Sequence, residues 1–348
     1  MKFENLLLIS FCVLPFVFGI IFLFCFRKRR DVQQGKINYW LFTGNVALFL
    51  FLAAFFLSGG EIYFRFLYDQ SDSFTQTLTG QAWYNKHYHL NSWGIRDSIE
   101  YLQYKNTEKP RITFLGDSFT AGHGITDVEK RFANRIRALR PDWEIQVFGF
   151  NGFDSIDEAD FLKTVSPEYY FDNVLLVYVL NDISKVMPAW EESYNAIYSL
   201  KPPYLAAQSY LLNTLYFRWK RARLPGVMNY FDFTLAAYED ASIWEIQQNT
   251  LLEITKEVEA RGGKLLVVTF PFMHSLWQNY EFQSVHKQLA NFWSTQGVPH
   301  LDLLDVFQSY APEKLTVNPY DAHPNERAHA LAAEAINKFL SLHIRQKN

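Results

Sequence analysis

The chain holds 348 residues, 49% of them apolar and 18% aromatic, with a formal net charge of −3. That length suits one large domain with an addition, or two ordinary domains, and the weak charge and absence of a basic recognition motif argue against nucleic-acid binding. Both cysteines, Cys12 and Cys25, fall in the first apolar run. The rest of the chain therefore has no disulfide, no cysteine nucleophile and no thiolate metal site, and nothing reports the redox compartment.

Residues 5–26 carry no charge. As a helix they reach roughly 33 Å, enough to cross a bilayer core. The run is too long for a cleaved signal peptide and lacks a small-residue cleavage site. Arg27-Lys28-Arg29-Arg30 follows, with Lys36 close behind and Asp31 opposing, and a second apolar run extends from Tyr39 to Leu57 before Ser58-Gly59-Gly60. This pattern predicts a transmembrane helical hairpin over residues 1–60, with spans at about 5–26 and 39–57. The positive-inside rule puts the basic loop in the cytoplasm. The chain is then a multi-pass protein of the inner (cytoplasmic) membrane, bound to the bilayer by two helices, with everything after residue 60 facing the periplasm or cell exterior.

Residues 61–108 are polar and aromatic with weak periodicity, and read as a juxtamembrane connector, partly helical near Glu61–Tyr68. Within it, Asn91-Ser-Trp-Gly-Ile-Arg-Asp97 is a turn-rich piece expected to pack under the next domain. From Pro110 onward strands and helices alternate, which implies a parallel sheet covered on both faces. Residues 111–115 form a buried strand that Gly116 stops, leaving Asp117 and Ser118 on a turn before a helical pattern (Val128, Phe132, Ile136, Leu139). Trp143–Phe148 is a strand ending in Gly149-Phe-Asn-Gly152, and a helix follows over about 155–165. The apolar run Asn173–Leu180 suits a central strand and stops at Asn181-Asp182. Residues 185–240 break the rhythm with many aromatics and a basic knot, Arg218-Trp-Lys-Arg-Ala-Arg223. Such an insertion could form a lid, bind sugar rings, rest on the membrane surface, or pack as a small helical subdomain. The pattern resumes with a helix over about 242–261, strand Lys264–Phe270, a helix over about 278–296, strand His300–Leu304 and a last helix from about Asn325 to His343. Residues 109–348 thus read as one catalytic domain.

In a doubly wound sheet, ligands bind at the carboxyl ends of the strands. Asp117-Ser118, Asn151-Gly152, Asn181-Asp182 and Asp321-Ala-His323 all lie at or after such ends. Acyl transfer needs a nucleophile, a base, an acid that orients the base, and donors for the oxyanion. Ser118 supplies the first, His323 the second and Asp321 the third. The backbone N–H groups of Ser118 and Gly152 and the Asn181 amide supply the donors, with Asp117 and Asp182 in support. Each cluster also has a plainer reading as turn or cap chemistry, and Asp321–Asn325 alone reads as a loop capping the final helix. Among the other histidines, His123 and His274 are candidate pocket residues. No metal-ligand spacing and no nucleotide loop appears, so no cofactor is expected.

Taken together, Gly116-Asp117-Ser118-Phe119, Gly149–Gly152, Asn181-Asp182 and Asp321-Ala-His323-Pro-Asn325 resemble the blocks of the SGNH, or GDSL-like, hydrolase superfamily. The resemblance covers roughly residues 91–342, including the Asn91–Asp97 stretch, and leaves out the hairpin. It implies a flavodoxin-like three-layer α/β/α domain and an esterase working through an acyl-enzyme, with Ser118, Gly152, Asn181 and His323 as nucleophile, two oxyanion donors and base. Two positions depart from the family's pattern. The third block reads Val179-Leu180-Asn181-Asp182 in place of Gly-x-Asn-Asp. The last has Tyr320 three residues before His323, where an aspartate is usual, so that the nearest acid is Asp321; a Ser–His dyad oriented by a backbone carbonyl is the alternative.

The expected substrate is an O-acyl or O-acetyl ester on a cell-envelope glycan, or a lipid ester near the bilayer. Two rivals remain. In one, an O-acyltransferase passes the acyl group to a glycan with the help of a membrane acyl-donor partner. In the other, a glycan-binding or scaffold protein keeps the fold without turnover.

Overall fold

A computed structural model describes residues 3–28, 39–104, 108–165, 168–276 and 279–344, with side chains from residue 7 onward. The chain divides into two compact units, each drawn from separate stretches of sequence.

The first unit takes Met1–Gln70, Thr75–Ala82 and Leu200–Arg221. Helices α1 (Phe3–Lys28) and α2 (Tyr39–Ile62) pack along each other. Both are long and apolar enough to cross a membrane: mean hydropathy reaches 2.8 over Leu7–Lys28 and 2.1 over Tyr39–Leu67. Their contact uses small residues, and a Cβ on Gly44 would sit 3.3 Å from that of Cys25. Large apolar side chains such as Phe16, Phe42 and Phe56 point outward. This is the reverse of a soluble hairpin and the usual arrangement where lipid is the solvent. Arg27 and Lys28 close α1; the rest of the expected basic loop, Arg29, Arg30 and Lys36 included, lies outside the described residues. A π-helical turn, Tyr63–Leu67, continues α2. Helix α3 (Leu78–His87) begins in this unit.

The second unit takes Ser71–Phe74, Trp83–Ser199 and Ala222–Asn348. At its centre lie β1 (Arg111–Gly116), β2 (Glu144–Gly149), β3 (Asn173–Val179), β4 (Lys264–Phe270) and β5 (His300–Asp302), all parallel and in the order β2-β1-β3-β4-β5. This is the doubly wound, flavodoxin-like order, whose direction reverses between β1 and β3. The intervening helices are α4 (Ser118–Ala121), α5 (Phe132–Leu139), α6 (Ser155–Thr164), α7 (Pro188–Tyr198), α8 (Tyr210–Arg221), α9 (Pro225–Met228), α10 (Tyr230–Glu239), α11 (Ala241–Ala260), α12 (Gln283–Thr295), α13 (Leu304–Phe307) and α14 (Glu326–His343). Of these, α8 belongs to the first unit. Helix α5 packs on α14, and α6 on α11, giving the two helical layers that right-handed crossovers produce on either side of a switch in strand order. All of β1, and β3 beyond Asn173, is buried, which is why β3 reads as an almost unbroken apolar run.

Two elements differ from the sequence expectation. The helix expected from about 278 begins at Gln283. Asp321–Pro324, which alone reads as a loop, is strand β7, paired antiparallel with β6 (Thr316–Asn318) through Asn318↔Asp321 and Thr316↔Pro324. Strands this short carry too few residues to show a period. The aromatics of the 185–240 insertion largely pack helices in the second unit. The Tyr230 hydroxyl meets Ser184 Oγ at 2.8 Å, and Tyr238 meets Tyr178 on β3 and donates to the Leu180 carbonyl at 3.1 Å.

Candidate active site

The nucleophile candidate sits where β1 ends. Asp117 caps the one-turn helix α4, its Oδ1 accepting from the Phe119 amide at 2.8 Å, so Ser118 is the first residue of that turn, beyond the carboxyl end of the sheet. Two neighbouring strand ends come close to it. The Phe150 amide donates to the Gly116 carbonyl at 3.0 Å, and a Cβ on Gly149 would lie 2.6 Å from the Thr120 carbonyl carbon, so only glycine lets β2 approach α4. Gly152 is a different case. Its surroundings are open, but its φ of +82° is one that other residues rarely adopt.

Asn181 follows β3, and its Nδ2 lies 3.5 Å from Asp117 Oδ2, which is itself 3.5 Å from Ser118 Oγ. The sequence-predicted donors are thus the amides of residues on adjoining strand ends, at the point where strand order reverses. Asp182 turns inward: its Oδ2 accepts from the Val179 amide at 2.9 Å and closes the 3₁₀ turn that carries Asn181.

His323 lies on β7. Its Nε2 stands 2.8 Å from Ser118 Oγ and its Nδ1 2.5 Å from Asp321 Oδ1. The His323 amide also donates to that oxygen at 3.1 Å. An acid two residues before the base therefore reaches the ring, because in a strand the intervening Ala322 points to the other face. Burial pushes the Asp321 carboxyl up, but the charge and hydrogen bond of His323, with help from His123 and Ser71, outweigh it and hold the carboxyl well below the usual range. Burial works against the His323 imidazolium too, yet Asp321 more than compensates and raises it above its ordinary value. The pair is therefore built to carry a proton on Nδ1 and to welcome a second on Nε2.

Several residues of this site carry no signal in the sequence. Ser71 donates to Asp321 Oδ2, and the Asp72 carbonyl faces His123 Nε2 at 3.1 Å. Both come from the polar connector, where no period marks them. His123 is fully buried against Trp83, with its ring centre 4.6 Å from that of His323. Burial, then the neighbouring His323, pushes it down to about 4; it is a neutral ring, and its carbonyl partner assigns its proton to Nε2. Its Nδ1 faces Asn151 Nδ2 at 3.4 Å, while Asn151 Oδ1 accepts from the Tyr88 hydroxyl at 3.0 Å. His274 packs against Phe231, with ring centres 4.5 Å apart and the planes tilted by 40°.

Arg96, from the turn-rich Asn91–Asp97 piece, is buried and donates to the Gly122, Ile125 and His87 carbonyls. It thereby ties down the loop that leaves α4. Beneath the turn lie more acids: burial, reinforced by mutual repulsion, raises the Asp182 and Glu158 carboxyls well above their ordinary values.

The donor atoms of His123, Asp321 and His323 lie within 4.8 Å of one another, close enough for one ion. His323 Nδ1 already faces Asp321 and Nε2 faces Ser118, however. A cation there would take the place of the Nδ1 proton and break the Ser118–His323–Asp321 chain, so the geometry suits proton transfer better than metal binding.

Neither a protein-family model nor a curated protein sequence matches this chain. Solved structures do align with it. One is a lipolytic protein of the G-D-S-L family from Veillonella parvula, 12% identical, aligned over 66% of this chain and 98% of its own with a TM-score of 0.40. A second is a putative lipolytic protein of that family from Desulfitobacterium hafniense (12% identity, 67% and 100%, TM-score 0.42). A third is an acetylxylan esterase from Geobacillus stearothermophilus (13% identity, 68% and 97%, TM-score 0.42).

Proposed function

We propose that the second unit is a serine esterase that works through an acyl-enzyme, and that the chain holds it at a membrane. The observation that carries this reading is the continuous Ser118 Oγ–His323 Nε2 and His323 Nδ1–Asp321 Oδ1 contact, at 2.8 and 2.5 Å. Ser118 Oγ attacks the ester carbonyl as its proton moves to His323 Nε2, and Asp321 stabilises the imidazolium. The Ser118 and Gly152 amides and Asn181 Nδ2 receive the developing oxyanion. Collapse expels the alcohol, which takes the proton from Nε2. A water molecule then repeats the attack with His323 again as base and releases the acid. No metal or cofactor enters these steps.

Support for the membrane part comes from the two apolar helices and from Arg27 and Lys28 at the end of α1. Positive residues between two spans favour the cytoplasmic side, and the esterase unit then faces the periplasm or cell exterior. The substrate class proposed there is an acyl ester on an envelope glycan, with a lipid ester second. The test uses the full chain in detergent, with a fluorophosphonate probe and p-nitrophenyl acetate. Labelling and turnover are expected in the parent and absent in Ser118→Ala and His323→Ala. Labelling with negligible turnover that a glycan acceptor restores would instead identify an acyltransferase. A folded chain that never labels would overturn the catalytic reading.

A further inference from the structure

The basic, aromatic insertion is divided between the two units, and its middle part leaves the sheet-bearing unit. Leu200–Arg221 is part of the first unit, with α1 and α2. Helix α8 is fastened to the end of the second span by a buried carboxylate. Glu61 Oε2 accepts from Ser209 Oγ at 2.7 Å and from the Leu211 amide at 3.0 Å. Its Oε1 accepts from the Tyr210 amide at 3.1 Å and from Arg65 at 2.9 Å. A Cβ on Gly60 would collide with the Leu211 side chain, so the start of α8 packs directly on the span's last turn. Farther along, Arg218 donates to the Tyr68 hydroxyl at 2.7 Å, so α8 runs beside the π-turn and the residues after it.

A bilayer core takes about twenty helical residues. Measured from Tyr39, that length ends near Ser58, and the stretch from Glu61 to Tyr68, with α8 beside it, falls at headgroup depth. The exposed side chains there are apolar or aromatic: Leu67 is 70% exposed, Phe66 65%, Trp219 51% and Leu215 49%. Leu215 and Trp219, four residues apart, share one face of α8. The charge is one-sided as well. Between Glu192 and Asp232 the chain carries Lys201, Arg218, Lys220, Arg221 and Arg223 and no carboxylate, and the last turn of α8 is basic.

We propose that α8 and the Tyr63–Leu67 turn form an interfacial collar that lies in the headgroup layer of the bilayer and binds anionic phospholipid, with Trp219 and Leu215 seated among acyl-chain ends and Lys220 on the phosphates. The inference rests on the membrane-spanning reading of α1 and α2 and gives those spans a specific lipid partner. Aromatic rings with one wet and one apolar side concentrate at this depth. Basic side chains within a Debye length of an anionic lipid surface are drawn to it, and salt screens that attraction.

The experiment places the full chain in nanodiscs of phosphatidylcholine alone, and of phosphatidylcholine with phosphatidylglycerol. Two readouts are taken: thermal midpoint at low and high salt, and quenching of tryptophan emission by lipids brominated high on the acyl chain. The parent is expected to melt higher in the phosphatidylglycerol discs, and salt or Lys220→Glu is expected to erase that difference. Trp219→Phe should remove part of the quenching and leave the part that belongs to Trp40 in the span. Equal midpoints in both lipids, or quenching unchanged by Trp219→Phe, would overturn the collar while leaving the spans in place. A chain that stays out of the discs altogether would overturn the membrane reading beneath it. Folding of each variant is checked by its circular dichroism and by fluorophosphonate labelling of Ser118.

Discussion

At the scale of single residues, the site turns on how Asp321 sets the state of one ring. With that carboxylate in contact, His323 holds a proton more firmly than a free imidazole, and a base must be neutral to accept the serine proton. The proposed esterase activity, read as kcat/KM, is therefore expected to rise with pH through a midpoint above the ordinary imidazole value of 6.5 and to be lost below it. Asp321→Asn should move that midpoint down and, by leaving the ring in the wrong tautomer, lower kcat on the order of 10⁴-fold. Asn181→Ala should lower kcat on the order of 10²- to 10³-fold with KM little changed, because the lost donor acts mainly in the transition state; steady-state kinetics on p-nitrophenyl acetate would show it. Ser71→Ala should have a smaller effect of the same kind. It removes one bond to a buried charge, worth about 1.5–3 kcal/mol, without uncoupling His323 from Asp321. An unchanged pH profile in Asp321→Asn would mean that the carboxylate does not govern the ring.

At the scale of elements, the architecture depends on tight joints around the strand ends, and Asp97 is the most exacting of them. Its buried carboxylate lies 2.6 Å from Arg137 and 3.1 Å from Arg131, and it accepts from the Asn134 amide at 3.1 Å. Burial opposes the charge, but the two guanidiniums and Tyr101 hold the carboxyl well below the usual carboxylate range. A group depressed in this way stabilises the fold at pH above its unfolded value near 3.8, and that contribution fades as pH falls toward the folded value. Asp97→Ala leaves Arg131 buried without its counter-ion and should cost about 3–5 kcal/mol. Chemical denaturation at neutral pH would measure this loss, which should shrink in acid.

Legibility follows the same divide between local and distant causes. Ser118, Asn151-Gly152 and Asn181 stand out as site candidates because each follows the end of a strand, and a doubly wound sheet brings those ends together whatever the side chains between them. Even the departure at Tyr320 left Asp321 in reach, since strand alternation makes a separation of two sufficient. Ser71, Asp72 and Tyr88 were invisible because they arrive from a segment without period, and only tertiary contact brings them to the histidines. His123 was recognisable as a candidate for the pocket, but nothing near it in sequence reveals its place beside His323. The contact of α8 with the end of α2 is equally hidden, since Glu61 and Tyr210 lie 149 residues apart.

At the scale of the whole molecule, each unit is a composite of three stretches of chain. A span that merely tethered an enzyme would be expected to tolerate replacement by any apolar helix. Here Glu61 is both the end of α2 and the cap of a helix from the middle of the sequence. Glu61→Ala leaves the Tyr210 and Leu211 amides and Ser209 without their acceptor and Arg65 without its ion-pair partner. The full chain in detergent should therefore melt lower in this variant, as a buried pair that loses one partner costs about 3–5 kcal/mol. The esterase rate per folded molecule, titrated with fluorophosphonate, should stay the same.

The carboxylate at the end of α2 has a consequence for how such a chain can be inherited. A terminal anchor is ordinarily a cassette, gained or exchanged by one recombination at its border with the enzyme. A crossover that carried α2 away just after Glu61 would separate that carboxylate from the helix it caps, because α8 is encoded far downstream. Exchange of the anchor therefore needs coordinated change at both Glu61 and the Leu200–Arg221 segment. The two are bound to descend together, so that lineages should show paired variation at Glu61 and at Ser209–Leu211, not the independent drift of a tail and a body.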